Sequence, residues 1–392
     1  MPTPSMYLQA STAAGAARHG VYAELAQAVK SVVQIPVIGV GRINDPLLAE
    51  SLLRSGKCDF VGMTRASMAD PDLPRKVMEG RFEDVVPCVG CLIGCSGNLA
   101  KGLAASCVFN PAMGHETDPI LNSSAARRHV VVVGGGVGGC MATITAARRG
   151  HRVTLIEQDA QLGGQFRYAA VPPEKGELTA YLAWQRTQLE KLGVTLLMNT
   201  EATPELLDAM EPDVVIVATG ARPFVPPIPG ARGEHVHTAL QVLAGEPLEG
   251  KTCVVVGGGM VGAETAHHLE HHGWRVAALV ELLPDVMGDM PRNARTALLD
   301  ALQKAGIRIM TGTAAREITD RGLLVSHDGQ EELLPADFVV IAAGSRADNA
   351  LAEQLGGRPY QVIRIGDAVQ ARRAMDAIAE GYRAALEIGC RA

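Results

Sequence analysis

Hydrophobic runs typical of buried strands alternate along this chain with amphipathic segments typical of helices. The alternation is regular between residues 20 and 86. It predicts helices over 21–32, 45–56 and 70–80 and strands over 35–43 and 59–66. A strand followed by a helix, twice in succession, predicts two β/α units of an α/β fold.

Both of these strands end at glycine and a cationic side chain. Gly41 and Arg42 end the first strand, and Gly62 and Arg65 lie at the end of the second. Phosphate sites of β/α barrels occur at this carboxyl edge of the strands. We interpret the four residues as a candidate phosphate clamp. The alternative is two ordinary strand ends that carry surface arginines.

A hydrophobic strand, a glycine turn and a helix follow a polar linker at 115–129. Gly134, Gly136 and Gly139 complete the pattern G-x-G-x-x-G, and Glu157 ends the next strand, 23 residues after Gly134. The glycines allow a tight turn and close approach of a pyrophosphate to the helix N-terminus, and the acid can bind ribose hydroxyls. This pattern predicts a dinucleotide site.

The same pattern recurs 123 residues later at Gly257, Gly259 and Gly262. Glu281 ends the following strand, 24 residues after Gly257. Two such sites favour an oxidoreductase with two nucleotide cofactors over a dehydrogenase with one. An acid at the position of Glu281 should repel a 2′-phosphate, which favours NAD(H) over NADP(H).

Two similar connections flank the second site. Residues 213–230 supply a strand, a turn at Gly220 and a proline-rich crossover, and residues 338–349 repeat the strand and the turn. Such connections indicate that one nucleotide domain is inserted in the other.

The last segment, 362–389, predicts a strand and a long helix joined at Gly366 and Asp367. An acid at this junction can accept a hydrogen bond from a ribityl hydroxyl, while the helix N-terminus faces a phosphate or a flavin edge. The alternative role for Asp367 is that of a helix N-cap.

Four of the eight cysteines are clustered with the spacing C-x2-C-x3-C-x11-C. In a large chain without secretory features this spacing predicts metal or cluster ligation rather than disulfides. Three thiolates within eight residues fit one compact 4Fe-4S cluster, and zinc is the alternative. The predicted ligands are Cys88, Cys91, Cys95 and Cys107, and the core cysteines are Cys58, Cys140, Cys253 and Cys390.

Four histidines lie on the helix predicted after the second glycine turn, two pairs of them at i,i+4 spacing: His267, His268, His271 and His272. This spacing could bind a metal ion, but no neighbouring acid or cysteine supplies an obvious third ligand. We expect these histidines to lie on the helix surface.

Composition and charge exclude several classes of protein. The chain has 392 residues, 47% of them hydrophobic and 43 of them glycine, which excludes a single small binding module. Its net charge is −6, without a basic groove for nucleic acid. Neither a run of ~18 apolar residues nor a signal peptide is evident. We expect a cytoplasmic protein without a nucleic-acid or membrane partner.

The four-cysteine motif, the residues that follow it at 110–112 and the two glycine patterns resemble the iron-sulfur flavoproteins related to old yellow enzyme. That family includes 2,4-dienoyl-CoA reductase, trimethylamine dehydrogenase and N-methylproline demethylase. The resemblance runs from about residue 21 to 389. It implies an FMN-binding β/α barrel, a 4Fe-4S segment, and FAD- and NAD(P)-binding domains.

The resemblance also implies roles for individual residues. Gly41, Arg42, Gly62 and Arg65 match the FMN phosphate site. Gly164 and Gln165 match the loop next to the flavin, and Asp367 matches the acid that contacts FAD. No catalytic residue is predicted, because the substrate-facing side chains of the family lie in upstream barrel strands.

The sequence departs from the family at its start. Family members carry roughly six further barrel strands upstream, and two β/α units cannot close an eight-stranded barrel because their edges would stay unpaired. We expect either a partner polypeptide that completes the FMN barrel, so that FMN binds only with it, or a truncated gene product with an incomplete barrel.

The predicted fold is therefore α/β: the C-terminal remnant of a TIM β/α barrel, a cluster-binding segment and two nested Rossmann-like domains. The boundaries are 1–86 for the last two barrel units, 87–127 for the 4Fe-4S segment and linker, 128–248 and 346–392 for the two parts of the FAD-binding domain, and 249–345 for the NAD(P)-binding domain.

The resemblance implies an NAD(P)H-dependent oxidoreductase that passes electrons between nicotinamide, FAD, a 4Fe-4S cluster and FMN, like 2,4-dienoyl-CoA reductase. We expect it to act on a small molecule and to form an oligomer. Two alternatives stay open. Electrons could flow out from an amine, as in a dehydrogenase or N-demethylase, or the chain could be a non-catalytic module that binds a cluster and a nucleotide.

Overall fold

The structure is a computed structural model that describes residues 18–118, 126–288 and 290–389. Contacts between residues divide the described chain into two compact units. The first unit comprises 18–166, 177–221 and 347–389, and the second comprises 167–176 and 222–346. The predicted domain boundaries at residues 86, 127, 248 and 345 stay predictions. Among the described residues, no helix is both long and apolar enough to cross a membrane.

Helices and strands follow each other in the order of an α/β protein. The helices are α1 (Ala23–Lys30), α2 (Pro46–Arg54), α3 (Thr64–Ala69), α4 (Leu73–Met78), α5 (Ser96–Leu99), α6 (Val137–Arg148), α7 (Phe166–Ala169), α8 (Leu178–Lys191), α9 (Pro204–Ala209), α10 (Ala239–Ala244), α11 (Met260–His271), α12 (Arg292–Lys304), α13 (Ala350–Gln354) and α14 (Ala374–Glu387).

The strands are β1 (Ile38–Gly39), β2 (Phe60–Val61), β3 (His129–Val133), β4 (Arg152–Ile156), β5 (Thr195–Leu197), β6 (Val214–Val217), β7 (Ala221–Pro223), β8 (Val236–Thr238), β9 (Thr252–Val256), β10 (Arg275–Val280), β11 (Arg308–Met310), β12 (Thr313–Thr319), β13 (Gly322–His327), β14 (Gln330–Pro335), β15 (Phe338–Ile341), β16 (Ser345–Ala347) and β17 (Gln361–Arg364). Short 3-10 turns span Phe82–Asp84 and Gly366–Ala368.

The first unit contains a parallel five-stranded sheet in the order β17-β6-β3-β4-β5. Both faces of this sheet are covered. On β3, Val130 and Val132 pack into one hydrophobic core and Val131 and Val133 into another. A strand that is buried on both sides needs apolar residues at every position, which explains the uninterrupted run of valines.

The second unit repeats this plan. Its parallel sheet has the order β11-β10-β9-β15-β8, and β12, β13 and β14 form a separate antiparallel sheet. On β9, Cys253 and Val255 pack into one core, whereas Val254 and Val256 pack into the core shared with the antiparallel sheet. The buried position of Cys253 agrees with its prediction as a small hydrophobic residue, as does that of Cys58 and Cys140. Cys390 lies outside the described residues.

The two predicted β/α units at the start of the described chain are present, but their strands are shorter than expected. β1 and β2 pair in parallel over two residues each. The first strand ends early because Gly41 and Arg42 adopt positive φ angles of 114° and 55°. The prediction that the second strand runs to residue 66 was wrong, since Thr64 already begins α3.

This segment exposes many large apolar side chains. Exposed positions on or near β1, β2 and their helices include Leu25, Val29, Val32, Ile35, Ile38, Val40, Leu47 and Phe60. Val32 is 80% exposed and Ile35 is 71% exposed. Exposed apolar side chains in this number on a short segment are typical of a surface that packs against another element.

Candidate cofactor sites

The first glycine turn connects β3 to α6. A Cβ atom at Gly139 would lie 1.9 Å from the carbonyl oxygen of Gly134, so only glycine fits where the helix passes over the turn. A Cβ atom at Gly136 would meet nothing within 4 Å. Gly136 is the N-cap of α6 and leaves an open space in front of the helix N-terminus, where backbone N–H groups can bind an anion.

Glu157, at the end of β4, is buried against this turn. One carboxylate oxygen accepts a hydrogen bond from the backbone N–H of Gly135 at 2.6 Å, and the other accepts from the N–H of Asp159 at 2.8 Å. These bonds fix the carboxylate beside the glycine turn. Each oxygen keeps acceptor capacity for a ribose hydroxyl.

The second glycine turn reproduces this geometry. A Cβ atom at Gly262 would lie 1.9 Å from the carbonyl oxygen of Gly257, whereas one at Gly259 would meet nothing within 4 Å. Glu281 accepts from the N–H of Gly258 at 2.6 Å and from that of Leu283 at 2.8 Å. The chain therefore contains two separately folded copies of one nucleotide-binding arrangement.

A third glycine segment lies over the first turn. Gly163 donates from its N–H to the carbonyl of Gly135 at 2.7 Å. Gly164 is close to the open position, since its Cβ would lie 3.2 Å from the Cα of Gly136. Gln165 donates its side-chain amide to the carbonyl of Ala221. The structure thus brings the predicted flavin loop to the first nucleotide turn.

Gly220 and Asp367 lie on other loops of the first unit. Gly220 accepts a hydrogen bond from the N–H of Asp348 at 2.9 Å. Asp367 lies in the 3-10 turn after β17, and one of its oxygens accepts from the N–H of Arg372 at 3.0 Å. Burial raises the pKa of Asp367. The N-cap of α14 is Arg373, so the alternative role of Asp367 as cap of that helix was wrong.

Gly366 precedes this acid and is held by α14. Its N–H donates to Glu380 at 2.7 Å. Glu380 also pairs with Arg372. Glu380 of the last helix therefore holds the strand-to-helix junction through Gly366 and Arg372.

The four clustered cysteines line one pocket. Its other lining residues include Arg65, Met68, Ser106 and Phe109. Gly94 approaches the far side of the pocket closely, because a Cβ atom there would lie 2.7 Å from the carbonyl oxygen of Ser106. The loop that carries the first three cysteines is thereby held next to the fourth, eleven intervening residues further along the chain.

Backbone N–H groups point at three of the sulfur atoms. Gly90 donates to Cys88 and Ile93 to Cys91, and both Phe109 and Asn110 donate to Cys107. Burial raises the pKa of Cys88, and it raises the pKa of Cys91 to about 12 and that of Cys107 to about 11. These hydrogen bonds favour the thiolates, which are the forms that bind iron or zinc.

The four thiols form a candidate metal site. Among the described residues, no three His, Cys, Asp or Glu side chains converge closely enough to hold a single metal ion. The four thiols nevertheless surround a common pocket. Four sulfur ligands around one pocket suit a zinc ion or an iron-sulfur cluster.

The two arginines predicted for a phosphate clamp both lie beside the cysteine loop. The side chain of Arg42 is only 2% exposed and forms an ion pair of 2.6 Å with Glu177. Its guanidinium packs against Gly90. Arg65 lines the cysteine pocket itself. Neither is an ordinary surface arginine, and their role toward a phosphate, with that of Gly41 and Gly62, stays a prediction.

Comparisons with known proteins identify the family. Residues 128–359, more than half of the chain, match the family described as pyridine nucleotide-disulphide oxidoreductase. The chain belongs to this family. Residues 6–84 match a second one, the NADH:flavin oxidoreductase / NADH oxidase family. The predicted membership of the old yellow enzyme-like flavoproteins and the α/β class are confirmed, and the chain carries flavin- and pyridine nucleotide-binding domains.

Individual relatives resemble nearly the whole chain. An NADH oxidase of Thermoanaerobacter brockii is 39% identical over 372 residues, which are 93% of this chain and 57% of the relative. The structure of a 2-naphthoyl-CoA reductase has a TM-score of 0.91 at 32% identity and covers 95% of this chain. Histamine dehydrogenase from Rhizobium sp. 4-9 has a TM-score of 0.85 at 26% identity and covers 96%.

The chain spans little more than half the length of those relatives. It spans 57% of the reductase and 58% of the dehydrogenase. The specific resemblance to 2,4-dienoyl-CoA reductase is not among these findings.

Several residues of the site were not predicted. Asn44 donates its side-chain amide to the carbonyl of Cys88, and Asn110 donates to the carbonyl of Met68 at 2.9 Å. Phe109 packs against Phe166 and Tyr181, with ring centroids 6.1 Å and 4.3 Å away. Phe109 lines the cysteine pocket and Phe166 follows the flavin loop, so aromatic side chains connect the two sites.

The second unit contains an ion pair that sequence reasoning also missed. Glu264, on the first turns of α11, is buried and pairs with Lys175 at 2.7 Å. A charged residue two positions after the last glycine of the pattern was the only local signal for it.

The histidines of α11 form two contacts along the helix. The rings of His268 and His272 are 4.2 Å apart and those of His267 and His271 are 6.4 Å apart. Burial and the neighbouring imidazoles lower the pKa of His268 to about 4. His271 and His272 are exposed, as expected for a helix surface, whereas His267 and His268 are partly buried.

Proposed function

We propose that this protein is an NADH-dependent flavin and iron-sulfur oxidoreductase subunit. It would pass electrons between nicotinamide, FAD, a 4Fe-4S cluster and FMN. The observation that supports this most strongly is the duplicated arrangement of glycine turn and acid in one chain that also carries a four-cysteine pocket. A single-cofactor dehydrogenase needs only one such turn, and a simple scaffold needs neither.

The surroundings of the two turns distinguish their cofactors. The Gly163–Gln165 loop and the Gly366–Asp367 turn belong to the same unit as Gly136, which supports this turn as the FAD site. The turn at Gly259 belongs to the second unit and has the same open approach to a helix N-terminus. We assign it to the nicotinamide nucleotide.

Glu281 supports NADH over NADPH. Its carboxylate is held by two backbone N–H groups next to the turn, where a ribose would lie. A 2′-phosphate would bring two negative charges together in a partly buried site, which is unfavourable.

The cysteine pocket fits a 4Fe-4S cluster in its donor chemistry. It offers four sulfur ligands at Cys88, Cys91, Cys95 and Cys107. Backbone N–H groups donate to three of these sulfurs, as required to stabilise ligating thiolates. When bound, a cluster transfers one electron at a time and so connects a flavin that accepts a hydride with a more distant electron acceptor.

The direction of electron flow is proposed as nicotinamide to acceptor. A second nucleotide turn that is as complete as the first supports a nicotinamide substrate, and the names of the NADH oxidase and the 2-naphthoyl-CoA reductase agree with it. In the alternative, electrons enter from an amine, as the name of the histamine dehydrogenase implies for that relative. An enoyl thioester, as reduced by 2,4-dienoyl-CoA reductase, is one small-molecule substrate of the reductive direction.

FMN is proposed to bind only when the barrel is complete. β1 and β2 pair with each other and with no other described strand. The apolar side chains on them and on α1 and α2 stay exposed. We propose that further β/α units, on a partner polypeptide or elsewhere in a longer chain, cover this face and complete the FMN site, and that the active protein is an oligomer.

An anaerobic titration with NADH tests the proposal. Flavin bleaching is expected in the FAD-loaded chain. Gly259→Ala should weaken NADH binding, because its Cβ enters the open space of the second turn, and should leave FAD bound. Gly136→Ala is the matched variant and should lose FAD instead. Absence of bleaching in the unmodified chain would contradict the nicotinamide direction and leave the amine-oxidising enzyme and the non-catalytic module as the alternatives.

A further inference from the structure

One guanidinium group in the cysteine pocket lacks a hydrogen-bond partner. Nη1 of Arg65 is buried and bonds to no acceptor within the part of the chain that the structure describes. The residue lines the pocket together with all four thiols. Leaving a buried donor unsatisfied costs about 1–3 kcal/mol, and more for a charged group. A donor in this position is therefore arranged for an acceptor that enters the pocket with a ligand.

The charged residues around the pocket also single out Arg65. Two arginines lie beside the cysteine loop. Arg42 is paired with Glu177, which also pairs with His19. Arg65 has no ion-pair partner within 18–118, 126–288 and 290–389. Its positive charge favours the thiolate of Cys88. The pocket thus holds one cation whose charge the protein itself does not balance.

We propose that Arg65 is a positioning residue for the cluster, donating a hydrogen bond from Nη1 to a sulfur atom and raising the reduction potential of the cluster. This inference rests on the proposed 4Fe-4S site. A cluster held by four thiolates is net negative, and the electron that it accepts from reduced flavin makes it more negative by one unit. An adjacent cation stabilises the reduced state more than the oxidised one. No proton moves, because the guanidinium stays protonated.

This assignment is compatible with the predicted phosphate role of Arg65. A guanidinium has five N–H groups in a planar fork, and Nη1 is the nitrogen of Arg65 that is buried without a partner. The remaining N–H groups could bind a phosphate at the end of β2. Arg65 would then contact both the cluster and the FMN phosphate, and FMN binding would change the charge next to the cluster.

A potentiometric titration followed by electron paramagnetic resonance tests the proposal in the full chain, purified with its cluster. Arg65→Gln should lower the midpoint potential of the cluster. The ratio of reduced to oxidised cluster at a fixed potential should fall about tenfold, which corresponds to a shift of about 59 mV for one electron. Arg65→Lys, which keeps the charge but not the planar guanidinium, should shift the midpoint potential less. Arg75→Gln is the matched control, because Arg75 is exposed on α4 and paired with Asp72.

Each outcome decides the proposal. An iron-loaded Arg65→Gln variant that titrates like Arg75→Gln would overturn it. If Arg65→Gln contains no iron, a loaded Arg65→Lys variant supports a charge role, whereas loss of iron from both variants shows that Arg65 only packs. An unmodified chain that binds no iron and lacks the cluster absorption would overturn the proposed 4Fe-4S site itself, a result distinct from an unshifted potential.

Discussion

Glu281 is the residue on which nucleotide preference should depend. Glu281→Ser removes the carboxylate but keeps a hydroxyl that can accept from the N–H of Gly258. Because the repulsion of a 2′-phosphate is lost, we expect the preference for NADH over NADPH to narrow about tenfold, which corresponds to ~1.4 kcal/mol. The ratio of kcat/KM values for the two nucleotides measures this change.

Glu157→Ser is the control for this variant, since Glu157 has the same backbone contacts at the other turn. It should lower the FAD content without changing the nucleotide ratio. An unchanged ratio in Glu281→Ser would show that another group selects the nucleotide.

Gly139 and Gly136 should respond differently to the same substitution. Gly139→Ala places a Cβ 1.9 Å from a carbonyl oxygen, so overpacking should lower the free energy of unfolding by about 1–3 kcal/mol or more. Gly136→Ala adds a methyl group in open space, and only a small N-cap cost of roughly 1 kcal/mol is expected. Urea unfolding of protein stripped of FAD measures both values, and equal losses would contradict the close approach at Gly139.

At the residue scale, the sequence was sufficient where contacts are local. The glycines of both turns and the acids that follow them lie within 25 residues of one another, and a fixed strand-turn-helix-strand path brings them together. The pairing of Arg42 with Glu177 joins residues 135 positions apart. Nothing in the neighbourhood of either residue indicates that contact, so Arg42 was assigned to a phosphate from its position alone.

Among the structural elements, the 3-10 turn Phe82–Asp84 is bound to α8 by hydrogen bonds and an ion pair. Asp84 accepts hydrogen bonds from Lys191 at 2.7 Å and from Gln188 at 3.0 Å, and it pairs with Arg81 at 3.1 Å. Burial alone would raise the pKa of this carboxyl, but the three donors together hold the pKa of Asp84 well below its usual value. The 3-10 turn is thereby held to a helix that lies more than 100 residues further along the chain.

This pKa predicts an acid-sensitive attachment. Because the pKa of Asp84 is lower in the folded than in the unfolded chain, its stabilisation is present above about pH 4 and is lost as the pH falls further. Urea unfolding between pH 6 and pH 3 should show a steeper loss of stability for the unmodified protein than for Asp84→Asn. Asp300→Asn, which breaks an exposed ion pair with Lys304, should lose stability with falling pH as steeply as the unmodified protein does. Parallel profiles for all three proteins would contradict this role.

The sequence predicted whether an element is a helix or a strand better than it predicted the residues at which the element begins and ends. Hydrophobic runs such as that of β3 identify strands because burial on both faces requires them. The strand predicted over 59–66 was too long because α3 begins at Thr64 and buries Ala66 and Ala69. Alanine fits a strand or a helix, and only the packing of α3 distinguishes the two.

For the whole molecule, the cofactor content of the purified chain is the most informative quantity. Purified alone without oxygen, it should contain about one FAD and about four irons and no FMN. The exposed face of β1 and β2 is the reason, since an incomplete barrel leaves one side of the FMN site open to water. Cofactor extraction with iron and sulfide assays measures these contents, and stoichiometric FMN would show that the segment binds flavin unaided.

The proposed cover for this apolar surface could be predicted only through the resemblance. Composition places Val32 and Ile35 among ordinary hydrophobic residues, and their exposure is a property of the folded segment. The insertion of one nucleotide unit in the other was visible in the repeated turns, because duplication leaves a trace in the sequence.

The cysteine loop has contacts on two sides. On one side, Asn44, which precedes α2, donates to the carbonyl of Cys88. On the other side, Phe109 packs on Tyr181 of α8. Iron bound by this loop would therefore act as a cross-link, and its binding free energy would be shared by both flanking parts as folding energy. Under iron starvation or oxidative damage, loss of the cluster would remove both the group that transfers electrons and the cross-link between the two flanking parts.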